Sequence, residues 1–259
     1  MISFPTLRTL FCGLLCLSGA ALAAAMPALA IEAKDRPAIE AIIKDYLLKN
    51  PEVLRDAMIE LQRRTAATEA KTRAAAVKSN EKLIYDSPRG VVIGNRNGDV
   101  ALVEFFDYNC GYCKRALDDM TVLMKADPKI KFVLKEFPVL GPGSLDAAKV
   151  AVAVRMQDKD GSRYLDFHRR LLGVRGEANR ERALAAAKDA GLDMGQIDKD
   201  LKSEEIDATL LESVVLADAL GISGTPSYVI GGEVIPGAVG ADALRKRIEA
   251  VRKCGQATC

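Results

Sequence analysis

Neither sign of charge dominates this chain. Its 259 residues carry 37 lysine and arginine side chains against 35 aspartate and glutamate, a formal charge of +2. Without a basic stripe there is no electrostatic footprint for nucleic acid, so no nucleic-acid partner is expected. Histidine is nearly absent, His168 being the single copy. Little is therefore available to complete a zinc site beside a cysteine pair, because zinc generally takes four ligands. Cysteine is scarce as well, with six in all, too few for a disulfide-stapled scaffold of this length. There is no internal repeat. What the chain does have is 49% hydrophobic and 28% charged residues, enough to bury the core of one large domain or of a domain with an appendage.

Residues 1–30 read as a signal peptide. Arg8 supplies a positive start, an apolar run follows from Leu10 to Met26, and Ala28-Leu29-Ala30 offers small residues for cleavage. The run is rich in Ala and Gly and a little short of the roughly 20 residues that span a bilayer, which favours cleavage over a retained anchor. Neither Cys12 nor Cys16 follows a small residue, as a lipoprotein cleavage site would want. Export is expected, leaving Cys110, Cys113, Cys254 and Cys259 in an oxidising compartment, where cysteines form disulfides or handle them.

Residues 31–82 show no strand pattern. After Pro37, the residues Ile39, Ile42, Ile43, Tyr46 and Leu47 lie at three- and four-residue spacing, and Leu54, Met58 and Leu61 continue the seam after Asn50-Pro51. From Ala66 to Val77 the chain offers little to bury and reads as a connector. Residues 83–253 change texture. Val91-Val92-Ile93 and Val100–Phe106 read as strands joined by a tight Asn97-Gly98 turn, then Cys110–Leu123 as a helix and Ile130–Glu136 as a third strand. A helical block over about 144–220 follows, then a hairpin around Gly231-Gly232 and a helix from Asp242 to Lys253. This order predicts an α/β fold, a central mixed sheet with helices on both faces and a helical insertion.

Cys110-Gly111-Tyr112-Cys113 sits where a strand gives way to a helix. Free backbone N–H groups and the helix dipole favour an anion there, and the thiolate is the nucleophile of disulfide exchange. Cys110 is expected to be the exposed attacker and Cys113, one turn in, the buried resolver. Gly111 and Tyr112 add no positive charge between them, and Asp107 opposes the thiolate. A half zinc site or a structural disulfide are the rival readings. A two-residue ring gains little loop entropy. Thr225-Pro226 could form a cis bond facing the cysteines and offer backbone to an extended client, or it could be an ordinary trans turn. Glu104, six residues before Cys110 on a strand expected to be central, could be a buried carboxylate that shuttles the proton of Cys113, or a solvated edge residue. Lys135 is its candidate partner. Tyr108, Tyr112, Pro138 and Leu140 could rim an apolar client groove. His168 reads as a hydrogen-bonded structural residue. Cys254 and Cys259 favour a local disulfide over an intermolecular link, a relay role or metal capture.

Val103 through Cys113 resembles the active-site segment of periplasmic Dsb-type thioredoxin-fold proteins, and Gly224-Thr225-Pro226-Ser227 is similar to their cis-proline loop. The likeness covers roughly Tyr85 to Lys253. Asn50-Pro51-Glu52-Val53-Leu54 is similar to the N-terminal region of the copper-sensitivity-suppressor group, ScsC. The Gly-Tyr dipeptide and the threonine before proline look more like the disulfide isomerases than the DsbA oxidases. The resemblance implies a thioredoxin fold with a helical insertion, preceded by an oligomerisation stalk, with Cys110, Cys113, Thr225, Pro226 and Glu104 catalytic and Gly111, Tyr112 and Thr225 contacting client. No cofactor and no metal site is expected.

The leading expectation is a periplasmic, dimeric or trimeric disulfide isomerase or reductase. Its clients would be unfolded or misoxidised exported proteins. Its redox partner would be a membrane reductase of the DsbD or ScsB kind, less readily a DsbB-like oxidase. The alternatives are a DsbA-like disulfide donor and a periplasmic copper- or zinc-binding protein using Cys110, Cys113, Cys254 and Cys259.

Overall fold

Helix signals open the described part of the chain, residues 33–259 of a computed structural model. The expected signal peptide, 1–30, lies outside it. After a 3-10 turn at Ala33–Asp35, α1 (Arg36–Lys49) begins with Pro37 in its first turn, where the missing N–H costs nothing. It ends at Asn50, whose backbone N–H and side-chain Nδ2 both donate to the Tyr46 carbonyl, at 2.9 and 2.8 Å. Pro51 then starts α2 (Pro51–Ser79). The chain divides into two units between Ile59 and Glu60. In the first, α1 buries none of its residues, and Ile42, Ile43, Tyr46, Leu54 and Met58 all stand exposed.

The second unit holds the rest of α2, followed by α3 (Glu81–Tyr85), β1 (Val91–Gly94), β2 (Val100–Phe106), α4 (Gly111–Ala126) and β3 (Ile130–Glu136). An insertion of five helices comes next: α5 (Pro142–Gln157), α6 (Ser162–Leu172), α7 (Arg180–Asp189), α8 (Met194–Asp200) and α9 (Glu204–Ala219). The chain closes with β4 (Ser227–Ile230), β5 (Glu233–Pro236) and α10 (Ala241–Cys254). Among the described residues the strands form one five-stranded sheet in the order β1-β3-β2-β4-β5, with β2 and β3 parallel and the other pairs antiparallel. The short α8, which hydrophobic spacing does not reveal, is capped by Asp193, whose carboxylate accepts from the Gln196 N–H, and it buries Ile197.

The Asn97-Gly98 turn does not make the expected hairpin. β1 pairs with β3, Val91 opposite Leu134, and β3 lies between β1 and β2. The connecting loop instead wraps the start of β3: the Asn95 N–H donates to the Ile130 carbonyl and the Asp99 N–H to the Lys129 carbonyl, both at 3.0 Å. A side chain at Gly98 would meet that backbone at 2.5 Å. A turn that reads locally as a hairpin is here held by a third segment.

Alternation along the central strands sends side chains to two cores. Leu102, Phe106, Leu134, Tyr228 and Ile230 face one cluster, in which Met120 and Leu123 of α4 lie. Val103, Phe105, Val133 and Val229 face the other, together with Leu216 and Leu220. That second cluster also takes Val77 and, partly, Ala76, so the Ala-rich run is more than the connector expected of it. A truncation should follow the observed boundary. Deleting 33–59 should leave the melting temperature of the catalytic unit unchanged, whereas deleting 33–82 should lower it. Losing Val77 from its site removes about 1.5–3 kcal/mol of burial. Thermal melts of the two truncations check this.

At the C-terminus, Cys254 and Cys259 are joined in a disulfide. The tail it closes seats buried Ala257 against the β4–β5 turn, the Ala257 N–H donating to the Gly231 carbonyl at 3.4 Å. Gly231 has φ +52°, and a Cβ there would lie 2.5 Å from Val251 and 2.6 Å from the Ala257 nitrogen, so glycine is required at this turn. Among the described residues no three His, Cys, Asp or Glu side chains group as metal ligands, so the four-cysteine metal arrangement is not assembled. Nor is any described helix long and apolar enough to cross a membrane.

Candidate active site

Four residues, Asp107 to Cys110, lead from β2 to α4. Cys110 is the N-cap of α4 with extended backbone, its N–H donating to the Asp107 carbonyl at 3.1 Å and its carbonyl accepting from the Lys114 N–H at 3.2 Å. Facing it is a cis Thr225-Pro226 bond. The Cys110 thiol donates to the Thr225 carbonyl at 3.1 Å. The sequence-expected pair and loop are thus brought together from 115 residues apart. Cys110 is the more accessible sulfur, yet only 6% exposed against 1% for Cys113. The exposed attacker expected from sequence is in fact buried, with the Thr225 carbonyl of the cis-proline loop against its sulfur.

Cys113 sits one turn into α4. Burial pushes its thiol far up, a bond from the Asp107 backbone partly offsetting this and the nearby Glu104 carboxylate adding to the rise. Glu104 is buried in β2 between Leu134 and Tyr228. Burial first, and Asp119 second, push its carboxyl up to about 8. Lys135 is not its partner. Successive residues of a strand point to opposite faces, and Lys135 lies on β3 opposite Phe105, one register position from Glu104. Its Nζ reaches the Leu83 carbonyl at 2.8 Å and Glu212 at 3.1 Å instead. Glu104 makes no side-chain hydrogen bond among the described residues.

Asp107, read from sequence only as an opposing charge, is the hub of the loop. Its carboxylate accepts from the backbone N–H of Asn109 (2.7 Å), Val139 (2.8 Å) and Leu140 (3.0 Å) and from the Ser144 hydroxyl (2.7 Å). Asn109 carries the link onward, donating to Ser144 and to the Ala178 carbonyl at 2.9 Å and accepting from the Ala178 N–H at 2.6 Å. The signal was present: an Asx residue just past a strand end is disposed to accept a backbone N–H two residues on.

Tyr108 is not on a groove rim. It is buried, with its hydroxyl 3.2 Å from His168 Nδ1 and 3.4 Å from both Glu136 and Tyr164. Burial pushes His168 down to about 3, so the ring is neutral at physiological pH. It is hydrogen-bonded inside the fold, as sequence suggested. Of the other expected rim residues, Tyr112 is 59% exposed, Leu140 is exposed and Pro138 is half-buried. Arg115 rests on the Tyr112 ring, 4.3 Å from its centroid. Beside the cis-proline loop runs a groove of about 480 Å³ lined by Tyr112, Ile222, Thr225, Pro226, Val234 and Pro236 among others. A larger cavity, of about 640 Å³, opens at the other end of β2, by Lys78 and Asp99, away from the cysteines.

The chain's likenesses agree with this geometry. It is 28% identical over 161 residues to an Na(+)/H(+) antiporter NhaA 1 of Salinispora arenicola, spanning 61% of this chain and only about a quarter (24%) of that relative's length. A thioredoxin-like oxidoreductase from Silicibacter pomeroyi superposes with TM-score 0.64 at 40% identity, over 68% of this chain and 99% of that one. A linker-deletion mutant of ScsC from Proteus mirabilis superposes with TM-score 0.65 at 26% identity, over 86% of this chain and 98% of that one. Residues 35–68 match the copper resistance protein ScsC N-terminal domain. Residues 101–249, more than half of the chain, match the DsbA-like thioredoxin domain, and the chain belongs to that family.

Proposed function

We propose that the protein is a periplasmic thiol–disulfide oxidoreductase that reshuffles or reduces wrong disulfides in exported proteins. The observation carrying this reading is the Cys110 thiol at a helix start, against the carbonyl of the cis Thr225-Pro226 step. In the first step the Cys110 thiolate attacks a client disulfide. A Cys110–client bond forms, and the second client sulfur leaves as a thiolate. If a different client thiolate attacks the client sulfur of the mixed disulfide, a new client disulfide forms, Cys110 leaves as the thiolate, and the client is isomerised with no net change of electrons. If Cys113 attacks instead, the client leaves reduced and Cys110–Cys113 becomes a disulfide. Cys113 must lose its proton to attack, and the ionised form of Glu104 is the nearby buried acceptor.

The reductive branch consumes two electrons per client disulfide, so a membrane reductase must return them. The exposed seam of α1 and early α2, in the region matching the ScsC N-terminal domain, supports a stalk that joins two or three copies. Several sites around one client raise the effective concentration of attacking thiols. Acid trapping of the Cys110/Cys113 pair in intact periplasm tests the direction. A mainly reduced pair is expected. A mainly oxidised pair would make the protein a disulfide donor and overturn the isomerase reading.

A further inference from the structure

We propose that Arg73 of α2 gives the client groove a preference for extended segments with an acidic side chain near the cysteine under attack. The inference rests on the reading of Cys110 as the client-attacking thiol and says which clients it favours. Arg73 lines the groove beside Thr225 and Pro226, and the other lining residues are all uncharged: Tyr112, Ile222, Val234, Pro236 and their small neighbours. It makes no hydrogen bond among the described residues. Its one ion pair, to Glu69 a turn earlier, is loose at 3.6 Å, with both side chains substantially exposed. Other arginines of the unit are committed: Arg89 and Arg155 hold Glu205, and Arg252 holds Asp99 and Asp127. Arg73 instead lies over Gly221, its Nε 3.5 Å from where a Cβ would stand, and the bare glycine leaves it room.

The same arginine borders a second cavity of about 590 Å³ along β5, lined by Ala70, Ala74, Lys78 and Glu233 among others. The acid there is already taken, Glu233 accepting from Arg247 at 2.6 Å and from Thr258 at 3.1 Å. Arg73 and Val234 line both cavities, so a loosely paired cation stands where the groove beside the cis-proline loop adjoins the cavity along the edge strand. Pro236 has no N–H to extend a ladder, so side chains rather than main chain decide what fits this stretch. The occupant is an extended client segment with aliphatic or aromatic residues against Ile222 and Val234 and an aspartate or glutamate meeting Arg73.

The test uses the reduced full-length protein and synthetic peptides whose single cysteine is disulfide-linked to an aromatic thiol. Cys110 attacks the peptide sulfur, the aromatic thiolate leaves with a colour change, and Cys113 then releases the peptide thiol and closes the Cys110–Cys113 disulfide. The peptides differ only in Asp, Asn or Lys three residues from the cysteine. The Asp-to-Asn rate ratio is read within each variant, so any change in thiol reactivity cancels. A ratio of roughly three is expected at low salt, as for an exposed ion pair, falling toward one in 0.5 M salt. Arg73→Gln should bring it to one, Arg73→Glu should invert it, and Glu69→Gln should widen it. Equal rates for all three peptides with the unsubstituted protein would overturn the inference while leaving the dithiol reading intact. So would a preference that survives Arg73→Glu and disappears in Arg115→Gln. Failure of every peptide to exchange would overturn both readings.

Discussion

Replacing Cys113 by alanine should give a protein that accumulates mixed disulfides with its clients, while Cys110→Ala should end exchange altogether. The asymmetry follows from position. Cys110 stands at the helix start against the Thr225 carbonyl, and Cys113 is the more deeply buried, one turn behind it. The first sulfur can be attacked or can attack, and the second reaches only the first. With Cys113 gone, the Cys110–client bond has no internal thiol to break it and persists until another client thiol arrives. Non-reducing gels of periplasmic extracts should show a ladder of adducts for Cys113→Ala and none for Cys110→Ala. Adducts through Cys113, or equal trapping by both variants, would contradict the division of labour.

Glu104→Gln should raise stability at neutral and alkaline pH and slow release of clients. The carboxyl sits at about 8 in the fold against an ordinary 4.5. Below about pH 4.5 it is protonated in both folded and unfolded chains and costs nothing. Between 4.5 and 8 the unfolded chain gives up the proton that the native state keeps, so stability falls as pH rises, and the contribution of this group is fully lost above 8. At 1.36 kcal/mol per pKa unit, the shift from 4.5 to about 8 makes the loss on the order of 5 kcal/mol. The amide has the same shape and no charge to desolvate, so it should keep that stability. A gain of about 4 kcal/mol at pH 8 corresponds to a rise of roughly 8–16 °C in melting temperature for a domain of this size. Function should move the other way. Without an ionisable acceptor for the Cys113 proton, resolution of mixed disulfides at pH 8 should slow roughly tenfold or more. Melting curves from pH 4 to 9 check the first claim and stopped-flow release the second. A melting temperature with the same pH slope in both proteins would exclude the buried-charge account.

The chemistry of this site was largely legible because it is carried by local pattern. Cys110 and Cys113 stand at a strand-to-helix step, Thr225-Pro226 precedes a hairpin, and Glu104 lies within an apolar strand, all visible within windows of a few residues. What escaped was set by distant partners. The Asn97-Gly98 turn has hairpin chemistry, but its loop is held by Lys129 and Ile130, which intrude between the strands it seemed to join. Lys135 looked like a partner for Glu104 until register put it one position out, toward Glu212. Tyr108 seemed a surface aromatic, yet a hydroxyl can be buried when Glu136, Tyr164 and His168 arrive from β3 and α6 to meet it. Periodicity tells which face a residue occupies but not which segment will cover it.

The Asp107 hub bears on when the site comes into being. The residues that hold the loop before Cys110 lie 32 to 37 positions downstream of Asp107, at Val139, Leu140 and Ser144, and the Asn109 link reaches 69 positions on to Ala178. Contacts at such separation form only after loop closure has been met, so they come late relative to local helices. A chain with α4 made but α5 to α7 not yet docked holds Cys110 as an ordinary cysteine on a fraying helix end. Its specialised reactivity is acquired with the last long-range contacts. On the proposed function, the catalyst is thereby a late product of its own folding, competent to act on other chains only once it has itself finished.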